Sequence, residues 1–134
     1  MADRLHSAAI HLLRRLRVED EALGISAPRL SALSVLVFAG PQRIGELARI
    51  EQVEPPTMTR LVDGLERDGY VARSPDPDDA RAVIVGATDR GRGALLEGRR
   101  RRVESFGSML GQLPPRELAQ LARGVRVLER VLED

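Results

Sequence analysis

The sequence predicts a mainly α fold with a small β wing, and three observations carry that prediction. Apolar residues recur at helical spacing through most of the 134 residues. Strand-like segments occur in one place only, Tyr70-Val-Ala-Arg-Ser74 and Ala82-Val-Ile-Val85, with the β-branched residues concentrated in the second. Between them lies Pro75-Asp-Pro-Asp-Asp-Ala-Arg81, too rich in proline and aspartate to be strand and too long for a two-residue turn.

Leu5, Ala9, Leu12, Leu13 and Leu16 make one apolar face of a first helix that reaches about Glu21, flanked by Arg14, Arg15 and Arg17. A second helix starts near Ser26-Ala-Pro28, with proline in its first turn, and runs to Phe38 before Gly40-Pro41 stops it. Its apolar density from Leu33 to Ala39 implies burial on several sides. The third helix, Ile44-Gly-Glu-Leu-Ala-Arg-Ile-Glu51, turns Ile44, Leu47, Ala48 and Ile50 inward and is too short to stand alone. After Gln52-Val-Glu54 a fourth helix opens with Pro55 and Pro56, residues suited to a first turn whose N–H groups have no intrahelical acceptor. Met58, Leu61, Val62 and Leu65 form its apolar face, and Gly69 is placed to end it with a positive φ.

Beyond the strands, Thr88 caps a long helix from Asp89 to about Leu110, with Leu95, Leu96, Val103, Phe106 and Leu110 inward. Leu113-Pro-Pro-Arg-Glu117 restarts the chain into a last helix. There Leu118, Leu121, Val125, Leu128 and Leu132 form a stripe widened by Val127 and Val131. The stripe either folds back on the first helix of one chain or pairs with a second copy. Too little chain remains to cover it otherwise.

This order of elements reads as a winged helix-turn-helix, which holds one helix in a DNA groove and a hairpin beside it. Thr57, Thr59 and Arg60 lie at the front of the fourth helix on its polar side, where a docked helix meets base edges. Arg81 at the hairpin tip is a candidate for the minor groove or its phosphates, with Asp79 orienting the guanidinium. The competing reading makes Arg60 a solvated residue bridged to Asp63 or Asp68, and Arg81 a decoration of the tip. Arg43, Arg49, Arg67 and Arg73 are candidates for phosphate contact that spacing does not separate. Arg99 to Arg102 point around most of a helix circumference and so cannot form one flat patch.

From residue 45 to 91 the sequence resembles the multiple-antibiotic-resistance regulator (MarR) family of bacterial transcription factors. The resemblance rests on Thr57-Met-Thr-Arg-Leu-Val-Asp-Gly-Leu-Glu-Arg-Asp-Gly-Tyr-Val71 followed by Asp76-Pro-Asp-Asp-Ala-Arg-Ala-Val-Ile-Val-Gly-Ala-Thr-Asp-Arg-Gly91. One departure is Ala87, where the family usually has leucine before the threonine. The resemblance implies a single domain over 1–134, with the winged helix-turn-helix at 28–88 and helical dimerisation regions at 1–22 and 89–134. It also implies a homodimer on double-stranded DNA, with two recognition helices about one DNA turn (~34 Å) apart facing a palindrome. Thr57, Thr59 and Arg60 would be recognition-helix residues and Asp79 and Arg81 the wing pair. Family members are more often repressors, and many release DNA when a small aromatic or phenolic effector fills a cleft. Here that cleft would draw on Leu12, Leu16, Leu33, Val37 or Phe38 and the long helix.

Composition narrows the alternatives. The chain has no cysteine, which removes disulfides, thiolate metal ligands and cysteine switches. His6 and His11 are the only histidines, five apart and so imperfectly aligned on one helix, and they read as packing or surface residues. With no glycine-rich phosphate loop and no metal signature, an enzyme is not expected, and neither is a cofactor. There is no 18-residue apolar run or secretory leader, so the expectation is a cytoplasmic protein without membrane contact. All 21 basic residues are arginine and the net charge is only +1, so attraction to DNA must come from local charge distribution. A winged-helix module that binds a protein partner and reads no DNA remains the rival. It predicts little salt dependence and tolerance of Arg81→Ala.

Overall fold

The computed structural model describes residues 1–133. The described elements run α1 (Ala2–Glu21), α2 (Ala27–Phe38), β1 (Gln42–Arg43), α3 (Ile44–Glu51), α4 (Pro55–Arg67), β2 (Val71–Pro75), β3 (Val83–Ala87), α5 (Asp89–Leu110) and α6 (Pro115–Leu132). Residues 1–101 form one compact unit, and the chain from residue 102 onward forms a second.

In the first unit the core is assembled from one to three fully sealed side chains per contributing element. Leu33 of α2, Leu47 of α3, Met58, Val62 and Leu65 of α4, Val71 of β2 and Val85 of β3 are essentially sealed from solvent. Each such side chain contributes about 1.5–3 kcal/mol through burial, which is how the eight-residue α3 survives. α2 is buried on several sides, with Ala32, Leu33, Leu36 and Val37 inside, while Phe38 at its end is 70% exposed. Ile50 of α3 was expected inward and is 40% exposed. It lies two residues past buried Ala48, nearly opposite on the helix, and α3 has only one covered face.

Gln52 makes the turn between α3 and α4 in the left-handed region, with φ 56°. The Val53 amide closes it on the Ala48 carbonyl at 3.0 Å. α4 ends as expected at Gly69, with φ 79°. The Tyr70 amide donates to the Leu65 carbonyl (2.9 Å) and the Gly69 amide to the Glu66 carbonyl (3.0 Å), a Schellman arrangement that satisfies two orphan carbonyls.

The sheet has three strands, not the two expected, in the order β1-β3-β2. All pairing is antiparallel: Gln42 and Arg43 face Val85 and Ile84, and β2 faces β3 from Val71↔Ala87 to Pro75↔Val83. Both hairpin strands lie one or two residues later than their side chains suggested. Their limits follow the ladder hydrogen bonds, and the edge Pro75 is tolerated there.

Thr88 caps α5 as anticipated. Its hydroxyl oxygen accepts from the Gly91 amide (3.1 Å) while its proton goes to the Gly69 carbonyl (2.6 Å), so one side chain joins the end of α4 to the start of α5. Gly91 sits against the Tyr70 carbonyl so closely that a Cβ would lie 2.0 Å from that oxygen. Gly91, Leu95 and Gly98 form the single buried stripe of α5. Leu96 and Val103, expected inward, are 49% and 53% exposed. Leu96 is turned about 100° from Leu95.

α1 carries its apolar face as expected, but none of its residues is buried, and Leu5, Leu12 and Leu13 are exposed. The second unit holds the end of α5 and all of α6. The stripe residues Leu118, Leu121, Val125, Leu128 and Leu132 are all exposed. Among the described residues no helix is long and apolar enough to cross a membrane.

Candidate nucleic-acid interface

The front of α4 projects from the core because Met58, Val62 and Leu65 take its buried side. Thr57 and Arg60 are exposed, and Thr59 is half-buried. The Thr59 hydroxyl donates to the Pro55 carbonyl at 3.0 Å, which leaves its oxygen as an acceptor. Arg60 has no ion pair or hydrogen bond among the described residues. Neither alternative partner takes it. Asp63 is bound at 2.6 Å by Arg73 of β2, and Asp68 at 3.3 Å by Arg29 of α2.

Between β2 and β3, residues 76–82 form a closed tip. The Asp76 amide donates to the Ala82 carbonyl (3.0 Å) and the Ala82 amide to the Asp79 carbonyl (2.9 Å). Asp79 accepts from both the Arg81 amide (3.0 Å) and the Arg81 Nε (3.4 Å), so the two wing residues expected to act together are joined. The Arg81 side chain is 92% exposed. The root of the tip is fixed by Arg43, whose Nε and Nη2 reach Asp76 Oδ2 at 2.7 and 2.6 Å. Asp76 is buried, and its other carboxylate oxygen accepts from the Asp78 amide at 2.9 Å. That amide first, and then Arg43, holds the Asp76 carboxyl below its ordinary range.

These features offer a groove an outward helix front carrying Arg60 and a closed loop presenting the exposed Arg81 guanidinium. The protein-family comparison matches residues 25–83 to the MarR family. The HTH-type transcriptional regulator MT0903.1 of Mycobacterium tuberculosis is 36% identical over 113 residues, spanning 84% of this chain and 79% of that protein. The chain belongs to the MarR family. Among solved structures, the transcriptional regulator Tm0710 of Thermotoga maritima superposes with a TM-score of 0.86 at 28% identity, over 98% of this chain and 93% of that one. A point mutant of S. aureus MepR bound to an oligodeoxyribonucleotide shares the fold, with a TM-score of 0.77 at 21% identity and 98% coverage of both chains. MarR-family proteins are transcriptional regulators rather than enzymes.

Within this MarR-family chain the structure sorts the arginines that spacing left equivalent. Arg43 anchors the wing, and Arg49 is paired with Glu46 on its own helix. Arg73 bridges α4 and β2, and Arg67 is exposed with no partner among the described residues. In the run from Arg99, Glu97 accepts from Arg100 Nε (2.9 Å) and Nη2 (2.7 Å) and from Arg101 Nε (2.9 Å). Those two arginines pull the Glu97 carboxyl down to about 2. The effector cleft expected from the resemblance needs revision at two of its residues. Leu33 is sealed in the core and Val37 is 8% exposed, because the α2 stripe packs against α3 and α4. His6 and His11 lie exposed on α1, and the described residues contain no cluster of three or more candidate metal ligands.

Sequence reasoning missed Arg29, Arg43, Arg73 and Asp76 as the residues that support the site. Each acts with a partner at least ten positions away in sequence, as with Arg73 and Asp63. No local pattern marks such pairs.

Proposed function

We propose that this protein is a homodimeric, sequence-specific DNA-binding regulator that represses by occupying a palindromic promoter site. Thr57, Thr59 and Arg60 meet base edges in the major groove, while Arg81, oriented by Asp79, enters the neighbouring minor groove or grips its phosphates. The observation that carries this reading is the unpaired, exposed Arg60 on α4 together with Arg81 held by Asp79 at the wing tip. A guanidinium without an internal partner can satisfy its donors on a guanine edge or a phosphate without first breaking a protein contact.

The dimer is supported by the exposed leucines of α1 and the exposed stripe of α6, which as isolated surfaces leave more apolar side chain in water than a stable monomer usually shows. A two-fold pairing through them presents two copies of α4 to successive turns of one DNA face. A small aromatic or phenolic compound then acts as effector to the extent that it binds the DNA-averse form more tightly. Such a regulator works in the cytoplasm, where the promoter is.

Selection of duplexes from a random pool with purified protein tests the proposal. An inverted repeat with half-sites about ten base pairs apart is expected. No enriched sequence, with binding insensitive to salt and to Arg81→Ala, would instead support the protein-interaction alternative.

A further inference from the structure

The carboxylates of α4 and the arginines of α4 are treated differently by the fold. Asp63 and Glu66 lie on the recognition helix and Asp68 caps it, yet none of the three is paired with Arg60 or Arg67 of the same helix. All are taken by arginines from other elements. Arg73 of β2 reaches Asp63 Oδ1 through Nη2 and Glu66 Oε1 through Nη1, both at 2.6 Å, and its backbone amide donates to Glu66 Oε2 at 3.1 Å. Arg29 of α2 takes Asp68. Helical spacing alone favours another outcome. Asp63 stands three residues after Arg60 and four before Arg67, the two separations at which side chains on a helix meet, and acid before base is the better order.

We infer that Arg73 is a positioning residue for DNA binding, which occupies Asp63 and Glu66 so that Arg60 and Arg67 of the recognition helix remain available to DNA. The inference rests on α4 being the DNA-reading helix. Without Arg73, Asp63 turns to Arg60 or Arg67, and Glu66 loses the guanidinium that neutralises it. Arg73 itself is three-quarters covered, and both of its terminal nitrogens are engaged with these carboxylates. Its effect passes through the acids, not through a contact with DNA.

The test uses the full chain, the duplex enriched by random selection and a scrambled duplex. Arg73→Ala should bind the enriched duplex roughly five- to tenfold more weakly. Its log K against log[salt] slope should fall by about 1, the signature of one lost phosphate contact. Removing the acids as well, in Arg73→Ala/Asp63→Asn/Glu66→Gln, should restore affinity to within about twofold. The charge-matched Arg73→Ala/Glu21→Gln/Glu117→Gln should not, because its α4 carboxylates stay uncovered. If the first triple variant binds as weakly as Arg73→Ala, Arg73 is a mechanical clamp or touches DNA, and the inference fails. It also fails if Arg73→Ala binds normally while Arg60→Ala does not. Normal binding by both single variants would remove the reading of α4 itself.

Discussion

Arg60 is the side chain whose surroundings say most about its work. Local spacing offered it Asp63 or Asp68, and both are claimed by arginines elsewhere. If it reads a guanine edge, Arg60→Ala loses about 1–3 kcal/mol of discrimination, confined to the cognate duplex in a paired titration against scrambled DNA. Equal weakening on both duplexes assigns it to phosphate. Asp76 makes a prediction of a different kind. Its folded carboxyl titrates below the unfolded value of about 3.9, so its contribution to the wing root is complete above that pH and is lost as acid takes the pH through the lower folded value. Asp76→Asn lacks this contribution at every pH. The stability gap between the two proteins should therefore be present at pH 6 and shrink below roughly pH 3.9, as followed by urea titration. A gap that persists unchanged into acid would mean the carboxylate charge is not what holds the wing.

Among elements, α4 is the one whose beginning, stripe and end were all readable. Two prolines, a helical run of apolar residues and a glycine stop each have a local cause, and its observed limits are Pro55–Arg67. β1 was not readable. Gln42 and Arg43 carry no β-branched signal, and they are strand only because β3 offers a free edge to them. The hairpin strands slipped by a residue or two for the same reason, since pairing rather than propensity ends them. The junction of α4 with α5 gives a sharp expectation. Gly91→Ala gains helix propensity yet drives a Cβ into the Tyr70 carbonyl, a backbone atom that no rotamer change can move aside. A net loss of about 1–3 kcal/mol in chemical denaturation is expected. Wild-type stability in this variant would show that the two segments pack more loosely than this contact requires.

At the scale of the whole molecule, two helices carry apolar residues that the described chain leaves in water. α6 has no buried residue, and Leu128, the most covered of its stripe, is still 37% exposed. Leu128→Glu should yield monomers in sedimentation and weaken operator binding by roughly tenfold or more, since a single reading head loses the second half-site. A dimer that persists in this variant would place the pairing surface elsewhere. The tight, fully sealed core belongs to residues 1–101, so the same substitution should leave the melting of that unit largely intact.

Helix positions, caps, the wing and the pairing of Asp79 with Arg81 follow from the amino-acid order, because each depends on residues within a turn or two of one another. The assignment of charge partners does not. Whether Asp63 binds Arg60 or Arg73, and whether Asp76 is exposed or locked to Arg43, depends on which elements the core brings side by side. The sequence by itself determined that an arginine at a polar helix front and a loop arginine are present; tertiary packing decided which guanidinium groups are already paired and which stay free, because ion pairing is settled by distance in space.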